Sequence, residues 1–180
     1  MAPPTDPFLQ HGGGRRWVIM GVCGCGKSTI GAAVAAQFGV PFLEGDAYHP
    51  ASNVAKMSAG VPLTDDDRAE WLQSLAREIG AARMHGSGIV VSCSALKRRY
   101  RDLLRQADPG LHFAHLYGTR DTIHERMQTR TGHYMPISLL DSQLRDLEPL
   151  QADEAGITLD ITRPPDILVA SIIASTARTG

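Results

Sequence analysis

Gly21-Val22-Cys23-Gly24-Cys25-Gly26-Lys27-Ser28 follows the short apolar run Trp17, Val18, Ile19 and Met20 and precedes a helix-like stretch over residues 29–38. Glycines at 21, 24 and 26 let a backbone turn with positive φ, so that successive N–H groups converge at the start of a helix, where the dipole is positive. A lysine in the seventh place reaches the outer phosphates of a nucleotide, and the serine after it offers a hydroxyl to Mg²⁺. A strand, this loop and a helix in that order form a phosphate-binding P-loop.

Outward from the loop, strand-like runs recur at residues 17–20, 41–43, 89–91, 113–117 and 157–161, with helical patterns between them. That alternation predicts an α/β fold with a parallel sheet of about five strands flanked by helices. Thr64 is a natural N-cap for a helix carrying Trp71, Leu72, Leu75, Ile79 and Ala82 on one stripe. Of Asp65, Asp66 and Asp67 in its first turn, at least two are expected to serve the helix start and its dipole. Leu96, Tyr100, Leu103 and Leu104 form another stripe, opposite Lys97, Arg101 and Arg105. Ile123 and Met127 mark a third, and a last helix spans about residues 166–177.

The chain has 180 residues, a formal charge of -1 and 43% hydrophobic residues, enough for one core. The reading is a single domain over residues 17–180 behind a disordered Pro- and Gly-rich tail, residues 1–16. Near-neutral charge argues against a nucleic-acid binder, which needs surplus cations against phosphates. No run reaches the roughly 20 apolar residues of a membrane span. Cys23, Cys25 and Cys93 are an odd count, two of them inside the loop, which points to a reducing, cytoplasmic compartment. Only three of 18 basic residues are lysines, at 27, 56 and 97, each in a segment chosen on other grounds.

Ligands of such sheets gather beyond the carboxyl ends of the strands. There, Glu44 and Asp46 stand two apart, one suited to orient an acceptor hydroxyl and one to anchor Mg²⁺ through water. Asn53, Lys56 and Met57 share a helix face fit for a polyhydroxylated anion. The third strand ends in Ser92-Cys93-Ser94 without the acidic residue of motor and transporter ATPases. Arg126 and Arg130 precede Thr131-Gly132-His133-Tyr134, a pattern for cations on a water-excluding lid over about residues 124–140.

Joined together, G-V-C-G-C-G-K-S, G-D-A-Y-H-P-A-S-N-V-A-K-M, G-V-P-L-T-D-D-D-R-A-E-W-L, S-C-S-A-L-K-R-R-Y-R-D-L-L-R and R-T-G-H-Y-M resemble the gluconokinase family of small P-loop kinases, over about residues 17–165. The resemblance implies ATP- and Mg²⁺-dependent phosphorylation of D-gluconate, in a fold similar to nucleoside monophosphate and shikimate kinases with a helical lid. It implies nucleotide contacts from Gly21, Val22, Cys23, Gly24, Cys25, Gly26, Lys27, Ser28, Thr29 and Pro164, with Ser28 on the metal and Glu44 or Asp46 reaching it through water. Lys27, Asp46, Arg126 and Arg130 take the catalytic places; Asp46, His49, Asn53, Lys56, Arg68, Lys97, Arg101 and His133 fall on the substrate side. A homodimer follows by analogy with relatives. Cysteines at 23 and 25, and Glu44 where aspartate is common, depart from the family pattern. A kinase for another small hydroxylated acid such as shikimate, and a nucleotide-dependent switch without transfer, are the competing readings.

Overall fold

Trp17, Val18, Ile19 and Met20 are wholly withdrawn from solvent, and the strand they form, β1 (Arg16–Met20), lies at the centre of the sheet. The computed structural model describes residues 15–130 and 135–178. Continuous apolar runs rather than alternating ones are what a sheet covered on both faces requires. β1 pairs in parallel with β3 (Ile89–Ser92) on one side and β4 (His112–Tyr117) on the other, while β2 (Phe42–Glu44) and β5 (Gly156–Asp160) form the edges. The five strands are all parallel, as the alternation predicts, and run in the order β2-β3-β1-β4-β5. Arg16 joins the strand ahead of Trp17, held by Asp108, so the ordered domain begins before the expected boundary.

Helices fill the crossovers. α1 (Lys27–Phe38) follows the loop and α2 (Ala51–Ser58) follows a short 3₁₀ turn at Gly45–Tyr48. α3 (Asp65–Met84) and α4 (Arg98–Ala107) pack against each other before and after β3. α5 (Arg120–Thr129), α6 (Ile137–Asp146) and α7 (Pro165–Ala177) complete the chain. Trp71, Leu72, Leu75 and Ile79 bury the predicted stripe of α3.

The start of α3 refines the expected role of its aspartates. Asp67 alone makes the reciprocal cap, its N–H donating to Thr64 Oγ1 at 3.2 Å and its carboxylate accepting from the Thr64 N–H at 2.9 Å. Asp65 turns outward instead, accepting from Lys97 and Tyr100 and pairing with Arg99 of the neighbouring α4 segment. At Gly45 the chain crosses β3 so closely that an added Cβ would stand 1.9 Å from the Ser92 carbonyl oxygen. No residue but glycine fits there without moving backbone.

Arg101 overturns the expected basic face of α4. It is fully buried, donating through Nε and Nη2 to Glu154 at 2.7 and 2.8 Å and through Nη1 to the carbonyls of Ala95, Leu96 and Glu148. Arg105 adds a second contact to Glu154 at 2.7 Å. Burial pushes the Glu154 carboxyl upward, but Arg101, the Gln151 N–H and Arg105 outweigh it and hold it down at about 2.

Glu154→Gln leaves the buried Arg101 guanidinium without its anion and takes from Arg105 one of its two carboxylate partners, Asp102 remaining. It is expected to cost about 3 kcal/mol or more at pH 7, read as a lowered urea midpoint at unchanged slope. Because the folded pKa lies below the ordinary 4.5, this contribution in the parent is complete above about pH 4.5 and is lost as pH falls towards 2; the variant should lack that part of the acid slope.

Candidate active site

The phosphate loop departs from helical geometry at each glycine, with φ of 145° at Gly21, 78° at Gly24 and 97° at Gly26. Gly24 lies under α5, where an added Cβ would meet Met127 Cγ at 2.6 Å, so bulk is excluded as well as handedness. α1 begins after left-handed Gly26 with no side-chain cap, leaving the first N–H groups of the helix directed at whatever enters the loop. Gly21 N–H donates to the Ser94 carbonyl at 3.3 Å, and Lys27 Nζ donates back to the Val22 carbonyl at 2.9 Å. Burial opposes the charge of Lys27, and Cys25 and Asp46 favour it; the balance leaves its pKa above the ordinary lysine value. Burial raises the Cys23 thiol to about 11 and that of Cys93 to about 12, so neither is an ionised nucleophile at neutral pH, and no described cysteine is in a disulfide.

Beyond the loop opens a cavity of about 440 Å³. The loop contributes Cys23, Gly24, Gly26, Lys27 and Ser28; the end of β2 and its 3₁₀ turn contribute Glu44, Asp46 and His49. Met57, Pro62, Leu63, Arg68 and Ser94 line another part, and Arg130, Met135, Leu139, Ser142 and Gln143 complete it.

The two carboxylates are differently placed. Glu44 accepts from Ser92 Oγ, which itself accepts from the Gly45 N–H at 3.0 Å, tying Glu44 to the end of β3. Asp46 is 71% exposed and its Oδ1 lies 4.0 Å from His49 Nε2, so it is free to meet an incoming hydroxyl. His49 stacks on Trp71 with ring centres 4.1 Å apart, and Trp71 Nε1 donates to the Gly45 carbonyl at 2.7 Å. Asn53 Nδ2 lies 2.7 Å from the Asp67 carbonyl and 3.2 Å from His49 Nδ1. An amide nitrogen can only donate, so His49 Nδ1 accepts and its proton resides on Nε2, facing Asp46. Burial is the main reason that the imidazole pKa falls to about 4; Asp46 opposes the shift and Arg68 assists it.

Arg68 is 4% exposed, and its Nε has no hydrogen-bond partner among the described residues although the side chain faces the cavity. A buried, unpaired guanidinium edge is costly and asks for an anion. Several sequence candidates lie elsewhere. Asn53, 2% exposed, braces α2 against α3. Lys56 Nζ donates to Asp67 at 2.6 Å and Lys97 to Asp65 at 3.1 Å, outside the cavity. Arg101 serves Glu154, and Arg126 donates to the Ile161 carbonyl after β5. Val22 and Cys25 are buried behind the loop. Thr29 lines a separate groove between α1 and α7, beside Pro165, and Pro164 caps α7. His133 lies outside the described residues.

The α6 residues went unread because Leu139, Ser142 and Gln143 carry no charge or motif to set them apart from an ordinary amphipathic helix. The only signal was two small polar residues beside the apolar stripe of Leu139 and Leu140.

Comparisons with known proteins converge on this arrangement. A family model described as shikimate kinase matches residues 23–160. The chain is 47% identical over 145 residues to the thermosensitive gluconokinase of Escherichia coli K12, covering 80% of this chain and 77% of that protein. It is 44% identical over 156 residues to a gluconokinase of Gluconobacter oxydans, covering 87% and 88%. Among solved structures, a gluconokinase from Sinorhizobium meliloti superposes with a TM-score of 0.85 at 45% identity, covering 93% and 94% of the two chains. Shikimate kinase from Aquifex aeolicus, with a TM-score of 0.57 at 14% identity and coverage of 91% and 97%, shares the fold.

The His49 geometry yields a spectroscopic expectation. In ¹⁵N-resolved NMR the ring should display the Nε2–H tautomer and should not titrate between pH 8 and 5; a midpoint near the ordinary 6.5 would contradict the burial and the Asn53 contact. As the folded pKa is the lower one, acidification from about pH 6.5 towards 4 costs stability, because the unfolded chain takes up a proton that the folded imidazole refuses.

Proposed function

The chain belongs to the gluconokinase family, and on that premise we propose that it transfers the γ-phosphoryl group of ATP to the C6 hydroxyl of D-gluconate, giving 6-phospho-D-gluconate and ADP. The observation that carries this reading is the meeting, in one cavity, of an uncapped phosphate loop, a free carboxylate at Asp46 and an unpaired guanidinium at Arg68. The first holds a polyphosphate, the second takes a hydroxyl, and the third takes an acid group.

Residues 21–28 form the nucleotide cradle, with the helix N–H groups of α1 and the Lys27 ammonium on the phosphate oxygens. Lys27 exchanges its contact with the Val22 carbonyl for the phosphates. Ser28, with Glu44 or Asp46 through water, would hold Mg²⁺, which would supply charge neutralisation at the phosphates. The residue set fits it: Ser28 faces the cavity beside Lys27, and Glu44 is fixed by Ser92.

Arg68 binds the gluconate carboxylate and so points the far end of the chain of hydroxyls towards Asp46. Asp46 accepts the hydrogen bond of the C6 hydroxyl. That oxygen forms a bond to the γ-phosphorus as the bond to the bridging oxygen breaks; the electron pair leaves with ADP and the hydroxyl proton passes to Asp46. His49, neutral, presents its Nε2–H towards Asp46 from 4.0 Å. Arg130 supplies positive charge over the transferring group. Shikimate as an acceptor rests on the family model and on a shared fold at 14% identity, against 44–47% identity to gluconokinases.

Coupled ADP release with Mg·ATP against gluconate, other sugar acids, shikimate and nucleoside monophosphates tests the reading; gluconate should stimulate far above the rest, and equal indifference to all acceptors would sink it. Lys27→Ala should lower kcat by about 10²–10³-fold in a folded chain. Asp46→Asn should leave ATP affinity within about twofold yet suppress transfer by about 10²-fold or more, and an unchanged kcat would remove Asp46 from its role.

A further inference from the structure

The phosphate loop is held by one side chain from outside the elements that flank it. Cys23 N–H donates to Gln143 Oε1 at 2.7 Å, linking the loop to α6 across 120 residues of sequence. Because the Cys23 nitrogen is a donor, the atom facing it must be the amide oxygen, and Nε2 with its two hydrogens points the other way. Among the described residues that Nε2 makes no hydrogen bond, while the side chain lines the cavity. The helix beneath it is well fixed: Leu139 and Leu140 are buried and Asp141 accepts from Arg120 Nε at 2.6 Å. The amide is therefore presented in one orientation.

The chemistry of the cavity says what it should meet. Arg68 is the group for a carboxylate, Asp46 for the reacting hydroxyl and Arg130 for the transferring phosphoryl group, and none of the three is a neutral donor suited to an uncharged hydroxyl along the carbon chain. We propose that Gln143 is a specificity-determining residue, its Oε1 anchored on the Cys23 N–H and its Nε2 donating to a non-reacting hydroxyl of the acceptor. One side chain then fixes the spacing between the phosphate loop and the sugar acid. This rests on gluconate being the acceptor and assigns a contact within that site.

The test uses steady-state kinetics of the full chain, the wild type beside Gln143→Met and Gln143→Glu, on gluconate and its single-deoxy analogues. Gln143→Glu retains an oxygen for Cys23 N–H and loses both donors, so it carries the test even where Gln143→Met folds poorly. The expected result is a rise in gluconate KM of about fivefold to tenfold, the scale of one neutral hydrogen bond. For one deoxy analogue, the one lacking the contacted hydroxyl, wild type and variant should converge. An unchanged gluconate KM in both variants, or a loss of equal size on gluconate and every analogue, overturns the proposal; the latter is what mere bracing of the loop would give. Wild type that fails to turn over gluconate overturns the functional reading together with this one, whereas normal wild-type turnover with indifferent variants overturns this one alone.

Discussion

A phosphate loop works only while enough of its backbone donors stay unspent, and here the surrounding structure holds the loop through the N–H groups of Gly21 and Cys23 while the start of α1 is left without a side-chain cap. Gly21 is fastened by the Ser94 carbonyl, Cys23 by Gln143, and Gly24 is pressed from above by Met127 and Ile123. These restraints come from β3, α5 and α6, so the three crossovers have to be in place before the loop can be. The start of α1, where a cap would ordinarily sit, carries none. A side-chain cap at that point would stabilise an isolated helix and fill the anion site.

The acceptor side depends on a second hub, the first turn of α3. Lys56 from α2 reaches Asp67, and Lys97 from the loop before α4 reaches Asp65. Asn53 adds a bond to the Asp67 carbonyl while steadying His49. The lysines retained in an arginine-rich chain thus divide: Lys27 lines the cavity beside the loop, and the other two tie neighbouring elements to the helix that supplies Arg68. Arg68 owes its unpaired edge to this arrangement, since the nearby aspartates are already engaged.

The strands, the loop and the cap of α3 were legible because each is local: an apolar run, a set of glycines, a threonine three places before an aspartate. Asp46, His49 and Arg68 were legible as members of motifs. What the letters could not tell is which of several arginines is spent. Arg101 and Arg68 read alike in one dimension, but Arg101 meets Glu154 from a loop 53 residues away, and Arg68 pairs with no carboxylate among the described residues. Gln143 was hidden for the same reason, as its partner is a backbone N–H 120 residues earlier. Long-range pairing decides function here, and pairing is not written in local pattern.

The stacking of His49 on Trp71 has an optical side. The chain contains two tryptophans, one buried in the central strand and one, Trp71, lying against a cavity-lining imidazole. Indole emission responds to the polarity and protonation of a ring in face-to-face contact, so on the proposed reading acceptor entry beside His49 would change the light emitted by one of the chain's two indoles. The molecule carries its own fluorophore for the acceptor side of the site, needing no dye and no coupled enzyme.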